Sequence, residues 1–304
     1  MAPILVPADA VINAQIRYYH ERPPGAEPLV HRPRLAGSRR MPVDERTVPI
    51  TDLRATSNSF TLDANGFQFL KYKGQAGKLY NTFESDDKIR ASYYDEARDL
   101  VKQATGATFV HLLGHVVRRD SYQKVLDDIS KKRDNEPVNL QHPAMMAHVG
   151  MFGYRPAAHD PLPEPMGDEL RKRASRSRWA IINMWKPLKT ITREPLAVCD
   201  AETVSEDDLR AVKLEVPKNF MFPDGDQIAL ELWHVAANER HRWYYPKSME
   251  PDEALLIKCF DSRIHDGTAR RAPHSAIRTP HDHGDARESI ELRTIVFWDN
   301  QAKL

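Results

Sequence analysis

The sequence predicts a mostly β fold with helices outside (α+β), either a barrel or a double-sheet jelly roll. Three observations support this class. Short apolar and aromatic runs recur through the second half of the chain, and the 22 prolines are spread along its whole length. Only one long segment, residues 84–105, has a clear helical pattern. Many short strands with frequent turns are typical of barrels and sandwiches.

Size and charge limit the classes of function. The 304 residues include 44 Lys and Arg against 43 Asp and Glu, a net charge of +1. This balance lacks the basic excess that nucleic acids and anionic membranes attract, so we expect no nucleic-acid partner. No apolar run approaches the ~20 residues of a membrane span. The N-terminus does not resemble a secretory signal, and Cys199 and Cys259 are expected to be buried and reduced. We therefore expect a cytoplasmic protein.

The chain is predicted to divide into an extended N-terminal arm, residues 1–55, and a jelly-roll domain, residues 56–304. Residues 21–49 are rich in proline and arginine and show little periodicity. An arm of this kind would lie on the body of the protein or on a partner subunit. We therefore expect that any homodimer would form through this arm.

The elements of the domain follow from local patterns. Alternating residues on both sides of Asn65-Gly66 predict a β-hairpin. Acidic residues begin a predicted helix over 84–105, which Gly106 ends. A buried strand is predicted from Phe109, and the basic run 171–178 is predicted to form a helix or a loop. Further strands are predicted at 179–185, 196–199, 228–234, 242–245, 254–260 and 290–298.

The candidate catalytic and binding residues are two histidines and the polar residues of a strand near the C-terminus. Arg287, Ser289, Glu291 and Arg293 alternate along a predicted strand and therefore face one side. Inside a barrel, such a set requires a bound anion, whereas on an exposed edge Glu291 would simply pair with an arginine. The spacing alone leaves both interpretations open.

Several ordered blocks between about residues 60 and 298 resemble the asaB hydroxylase/desaturase family. That family includes cephalosporin-methoxylase-like proteins and gibberellin desaturases. The blocks are Arg118-Arg119, Asn183–Leu188, Pro195–Ala201, His241–Tyr245, Lys258–Ser262, His274–Ala276 and Arg287–Arg293. The resemblance implies a double-stranded β-helix of the iron(II)/2-oxoglutarate oxygenase type. In such enzymes a His-x-Asp pair and a distal histidine hold iron, and an Arg-x-Ser pair holds the far carboxylate of 2-oxoglutarate.

The resemblance assigns His148 as the first histidine, His274 as the distal one, Arg287 and Ser289 as the anion-binding pair, and Arg293 as a reserve anion binder. The sequence departs from the family pattern at Gly150, where the family has aspartate. Glycine cannot bind iron, so the site offers two protein ligands where a 2-His-1-carboxylate site offers three. Asp160 is a poor substitute for the missing carboxylate.

Three functions are compatible with this departure. The first is a cofactor-free cyclase, a hetero-Diels–Alderase joining a dehydrated tropolone (a quinone methide) to a humulene-type terpene. The second is an iron(II)/2-oxoglutarate oxygenase or halogenase in which His148 and His274 hold the metal. In such halogenases glycine or alanine replaces the aspartate, so that chloride can take the vacant position. The third is an inactive scaffold partner of an oxygenase.

We rank the cyclase first, without a bound metal, and expect small apolar substrates. Alignment of two reactants in a pocket can supply about 7–11 kcal/mol. The proposed catalytic residues are His148, His274, Arg287 and Arg293. The proposed substrate-binding residues are Met146, Met151, Phe152, Trp185, Trp243, Tyr245 and Ser289.

Overall fold

Two β-sheets form the body of the protein. The computed structural model describes residue 7 and residues 10–56, 59–150, 167–215, 229–263 and 266–302. The strands are β1 (Val11–Tyr19), β2 (Val30–His31), β3 (Val43–Asp52), β4 (Phe67–Lys71), β5 (Phe109–Arg118), β6 (His148–Val149), β7 (Ser177–Pro187), β8 (Leu196–Cys199), β9 (Leu209–Glu215), β10 (Ala229–Val235), β11 (Trp243–Tyr245), β12 (Glu253–Asp261), β13 (His274–Ala276) and β14 (Ser289–Ala302). The α-helices are α1 (Ala36–Arg39), α2 (Leu62–Asn65), α3 (Asp86–Lys88), α4 (Tyr94–Thr105), α5 (Tyr122–Ile129) and α6 (Asp168–Ala174).

The larger sheet has nine strands in the order β1-β3-β11-β8-β13-β6-β10-β9-β2. The smaller sheet has five strands in the order β4-β12-β7-β14-β5, and its neighbouring strands are antiparallel. Most of the C-terminal strands begin and end within one or two residues of their predicted limits. The prediction of a mostly β fold with helices outside is confirmed.

Strand β7 shows how the layers stack. All its residues are buried, and successive side chains enter different cores. Ala180, Ile182 and Met184 pack on one face with residues of the helical segment 89–105. Trp179 and Ile181 pack on the other face with side chains of the nine-stranded sheet. The small sheet is therefore sandwiched between the helices and the large sheet.

The segment predicted as an arm contributes strands to the large sheet. β1 pairs antiparallel with β3 along its whole length, and the end of β3 also pairs in parallel with β11. Residues 20–42 connect these two strands and carry β2 and α1 across the body of the protein. A division at residue 55 and a homodimer through this segment remain predictions.

The prediction of a hairpin at Asn65-Gly66 is wrong, because this sequence ends a short helix. The Thr61 side chain accepts a hydrogen bond from the Ala64 amide at the start of α2, and Asn65 Oδ1 accepts one from the Thr61 amide. Gly66 then adopts a left-handed φ of 77°, which ends α2 before β4 begins.

The predicted helix at 84–105 is confirmed with an irregularity. It consists of α3, a π-helical turn at Ile89–Tyr93 and α4, and it ends at Gly106 with a φ of 65°. Both cysteines are buried and free, as expected. Within the described ranges, no helix is both long enough and apolar enough to cross a membrane.

Candidate active site

His148 and His274 lie side by side although 126 positions separate them in the sequence. They are register partners on β6 and β13, which pair antiparallel in the large sheet. Directly opposed residues of antiparallel strands point to the same face, so the rings meet, with centroids 4.5 Å apart. The sheet therefore holds two imidazoles in a fixed relation.

In both histidines Nδ1 is hydrogen-bonded to the backbone, and Nε2 is the nitrogen left to bind a ligand. His148 Nδ1 lies 2.7 Å from the Met146 carbonyl oxygen, and His274 Nδ1 lies 3.2 Å from that of Ala272. A carbonyl can only accept, so each Nδ1 donates and each Nε2 carries a free lone pair. His274 Nε2 is buried without a hydrogen-bond partner in the described structure. Burial lowers the pKa of both histidines, which keeps them neutral, as metal ligands must be.

A third histidine, His234, continues this row. It is the register partner of His148 on β10, the next strand of the sheet. Its ring lies near His31 instead, with centroids 6.3 Å apart. Within the described residues, no three His, Cys, Asp or Glu side chains are arranged to hold a metal ion. Among the described residues, the site therefore offers a metal the two imidazoles of His148 and His274.

Gly150 lies two residues after His148 and is tightly enclosed. A Cβ atom at this position would lie 2.8 Å from Cys259 Sγ and 3.3 Å from Asn183 Nδ2. The first distance is far below van der Waals contact, so Cys259 occupies the space that a side chain at 150 would need. The packing around position 150 therefore fits glycine and leaves no room for a larger side chain unless Cys259 shifts.

Glu291 places a carboxylate near Gly150 and His274. Asn183 Nδ2 lies 3.4 Å from Glu291 Oε1, and Arg293 Nε lies 3.3 Å from it. Burial alone would raise the pKa of Glu291, but the charges of Arg293 and Arg118 together lower it. Burial lowers the pKa of His274 more than the ionised Glu291 carboxylate raises it, so the ring stays neutral.

Arg287 and Ser289 form a buried polar pair on and just before β14. Arg287 Nη1 donates to the Glu194 carbonyl oxygen at 2.7 Å, and the guanidinium lies over the Trp185 ring. Arg287 Nε and Ser289 Oγ are both buried without a hydrogen-bond partner among the described residues. Burial and the nearby Arg118 lower the pKa of Arg287 to about 9. Unsatisfied buried donors are costly, and a bound carboxylate would satisfy both.

A cavity of about 200 Å³ opens beside His148, and His274 is not part of its lining. It is lined by His148, Gly150, Glu291, Arg293 and Met146, together with apolar residues from β5, α5 and the 31–43 segment. Arg287, Ser289 and Trp185 lie outside this lining, buried in the interior between the sheets. The structure therefore brings Arg293 and Met146, but not the Arg287–Ser289 pair, to the cavity wall.

Two aromatic candidates lie in the core and not on the cavity. Trp243 is buried and donates from Nε1 to the Tyr18 hydroxyl at 2.8 Å. Tyr245 is buried in the same cluster. Their alternation on β11 explains both the aromatic pattern and the burial, so the structure does not support a role in substrate binding. Met151, Phe152 and Asp160 lie outside the described residues.

Sequence reasoning missed most of the polar cavity wall, including Arg39, Arg118, His142 and His234. One signal was available in the sequence, since Arg118 belongs to the Arg118-Arg119 block of the resemblance. The structure places it opposite Ser289. The other three arrive from separate segments, and no local spacing links them.

A carboxylate side chain at position 150 is expected to destabilise the protein, because the surrounding residues leave no space for it. Gly150→Asp should lower the free energy of unfolding by about 1–3 kcal/mol, because the added side chain overlaps Cys259 Sγ. Cys259→Ala leaves the nearest atom of that residue, Cβ, at 3.6 Å, so the double variant should recover part of the loss. Urea denaturation measures both, and Cys199→Ala serves as the control for removing a buried thiol. A Gly150→Asp single variant as stable as the wild type would contradict this account.

Comparisons with known proteins agree with this architecture. A family model described as an oxidoreductase/YMDC permease-like domain matches residues 16–297. The hydroxylase/desaturase efuI of Hormonema carpetanum is 35% identical over 96% of this chain and 97% of its own length. The hydroxylase/desaturase asaB of Aspergillus flavus is 30% identical, covering 87% and 86%. The solved structure of the iron and alpha-ketoglutarate-dependent endoperoxidase NvfI superposes with a TM-score of 0.74 at 22% identity, over 96% of this chain and 99% of that one. The jelly-roll prediction is thereby confirmed.

The expectation of no cofactor is wrong. A further relative, 30% identical over 83% of this chain and 84% of its own, is the alpha-ketoglutarate-dependent dioxygenase tstK of Talaromyces stipitatus. Its name and that of the endoperoxidase specify alpha-ketoglutarate, and the latter also specifies iron. The expectation rested on Gly150 alone, and a glycine at one position does not remove the other determinants of such a site. The scaffold is that of an oxygenase, and the extent of the matches shows that the chain belongs to the asaB hydroxylase/desaturase family.

Proposed function

We propose that the protein is an iron(II)- and 2-oxoglutarate-dependent oxidative enzyme of fungal secondary metabolism with a two-histidine iron site. The observation that carries this proposal is the pair of imidazoles 4.5 Å apart, each locked with Nε2 unprotonated. The relatives named for alpha-ketoglutarate dependence support the choice of co-substrate.

The donor set fits these groups. His148 and His274 would hold iron through Nε2, and the unpartnered His274 Nε2 is the atom that a metal would satisfy. Arg287 and Ser289 would bind the far carboxylate of 2-oxoglutarate, which would satisfy two further buried donors. Bound iron and 2-oxoglutarate together supply the oxidising power for dioxygen-dependent chemistry on a bound substrate.

The chain itself positions and insulates the reaction. The backbone carbonyls of Met146 and Ala272 fix the orientation of the two rings, as outer-shell partners of metal ligands do. Glu291 supplies one negative charge near the metal position, which partly offsets the missing aspartate. Apolar residues of the cavity wall, such as Met145 and Val116, exclude water from the substrate beside His148.

Gly150 favours a second candidate reaction, the coupling of a dehydrated tropolone to a humulene-type terpene. The residue that would complete an ordinary iron site is absent, and Cys259 fills its space. Such a coupling needs chiefly an aligning pocket, which can supply about 7–11 kcal/mol. Chloride or another anion in the open metal position is compatible with the first candidate.

Metal dependence tests the proposal. Protein stripped with a chelator should form no succinate from 2-oxoglutarate, and iron(II) alone should restore it, whereas zinc should not. Product analysis on a candidate tropolone and terpene is run on the same samples. Succinate formation that does not depend on iron, or none in the reconstituted protein, would refute the oxidative assignment. A coupled product formed in the stripped protein would establish the second reaction.

A further inference from the structure

The charge on the cavity wall is unbalanced. Of the described residues that line it, five are arginines (Arg17, Arg34, Arg39, Arg118 and Arg293) and one, Glu291, is a carboxylate. The rest of the wall is largely apolar and includes Met41, Val125 and Leu214. A cavity that combines apolar walls with excess positive charge suits a molecule with an apolar body and an anionic group.

Two of these arginines converge on one residue. Arg39 Nη1 lies 2.6 Å from His142 Nε2, and Arg118 Nη1 donates to the His142 carbonyl oxygen at 2.8 Å. His142 Nδ1 donates to the Pro143 carbonyl oxygen, so its Nε2 is the acceptor for Arg39. The two guanidinium groups are thus held at one end of the cavity by a neutral histidine.

Neither guanidinium of this pair has an acidic partner in ion-pair contact among the described residues. Arg17 and Arg293 each contact a glutamate, Glu45 and Glu291 respectively. Arg39 instead bonds only to His142 and to the Pro33 carbonyl oxygen, and its Nε is buried without a partner. The charge of Glu291 acts on Arg118 from a distance, whereas the hydrogen-bond partners of Arg39 are all neutral. Two adjacent cations of this kind are costly to keep in a partly desolvated cavity, and a bound anion lowers that cost.

At this end of the cavity Arg39 is distinct from the pair assigned to the co-substrate, whereas Arg118 lies opposite Ser289 on the neighbouring strand and close to Arg287. Arg287 and Ser289 do not line the cavity, and Arg287 is fixed by the Glu194 carbonyl oxygen. Arg39 arrives on α1, from the connection between β1 and β3, whereas Arg287 precedes β14. Arg39 and Arg287 can therefore be mutated separately.

We propose that Arg39 and Arg118 bind the ionised group of the substrate, so that the substrate is an amphipathic acid: a carboxylate or acidic enol on an apolar body. This assignment rests on the proposed function, because it names the substrate class of the same cavity. It narrows the expectation of an apolar substrate, since an arginine pair of this kind rejects a neutral head group that cannot satisfy it.

Calorimetric titration with two probes of equal shape tests the charge preference. Octanoate and octanamide are titrated into the full-length protein without iron or 2-oxoglutarate. Octanoate should bind at least about tenfold more tightly, because charge-assisted hydrogen bonds in a desolvated site exceed neutral ones. Saturating 2-oxoglutarate should leave octanoate affinity unchanged.

Arg39→Gln should remove most of the preference for octanoate, and Arg39→Lys should retain part of it. Arg46→Gln, at an exposed arginine paired with Asp44, should keep it whole. Equal binding of the two probes by the wild type overturns the proposal, as does competition by 2-oxoglutarate. A preference that survives Arg39→Gln but is lost in Arg287→Gln also overturns it, since octanoate would then occupy the co-substrate pair. Should Arg39→Gln fail to fold, the wild-type titrations still decide. A clear octanoate preference in a protein that forms no succinate would leave this site standing while the proposed oxidation fails.

Discussion

His274→Ala is expected to lower iron affinity by at least about a hundredfold and to abolish 2-oxoglutarate turnover. Even outer-shell partners of a metal ligand are worth about 10–100-fold in affinity, and the unpartnered Nε2 of His274 would be one of the two proposed histidine ligands. Titration with cobalt(II), followed by visible absorption, measures the affinity independently of activity.

His234→Ala is the matched control for this loss. His234 lies on the same sheet, in register with His148, and is equally deep in the fold. Its ring is turned toward His31, so cobalt(II) affinity should be unchanged. Equal losses in both variants would show that the row of histidines, and not the His148–His274 pair, holds the metal.

Arg287→Gln is expected to raise the KM for 2-oxoglutarate by about a hundredfold, because a buried charge-assisted pair is lost. Ser289→Ala should have a smaller effect in the same direction, since it removes one neutral donor. Initial rates of succinate formation over a range of 2-oxoglutarate concentrations give both values, and iron affinity should not change.

Arg293→Gln distinguishes Arg293, on β14, from Arg287, which precedes that strand. Arg293 contacts Glu291 and lines the cavity, so its loss should affect the KM for 2-oxoglutarate less than that of Arg287. The reverse order would show that Arg293, first considered a reserve, is the residue that binds the co-substrate. Thermal unfolding of each variant separates these effects from loss of folded protein.

Strands with both faces buried were predictable because their apolar runs are continuous. β7 and β12 appear in the sequence as such runs, and each has helices or a second sheet to cover both faces. The start of the chain was harder. Ala14, Ile16 and Tyr18 alternate as buried residues of β1, but the proline-rich connection that follows obscured the strand pair.

The Asn65-Gly66 error has a local cause. Asn-Gly favours a hairpin turn, yet the same pair also ends a helix when the glycine follows its last turn. Thr61, four residues before Asn65, caps that turn and decides between the two outcomes. The capping threonine therefore favours the end of a helix over a hairpin turn at this Asn-Gly pair.

The candidate site was predictable only where the family resemblance supplied pairings. Nothing in local spacing places His148 beside His274, or Arg39 beside Arg118, because each pair is joined by sheet register or by long connections. Local sequence likewise could not tell whether the aromatic residues Trp243 and Tyr245 line a pocket or fill the core. Burial between the sheets accounts for them equally well.

The central claim is that two histidines and a buried anion-binding pair hold iron and 2-oxoglutarate together. The most direct test is an anaerobic titration of the metal-free protein with iron(II) and then 2-oxoglutarate, followed by visible absorption. A charge-transfer band that saturates at one equivalent of each, and is lost in His274→Ala but retained in His234→Ala, is the predicted result. No band in the wild-type protein at saturating iron(II) and 2-oxoglutarate would contradict the claim.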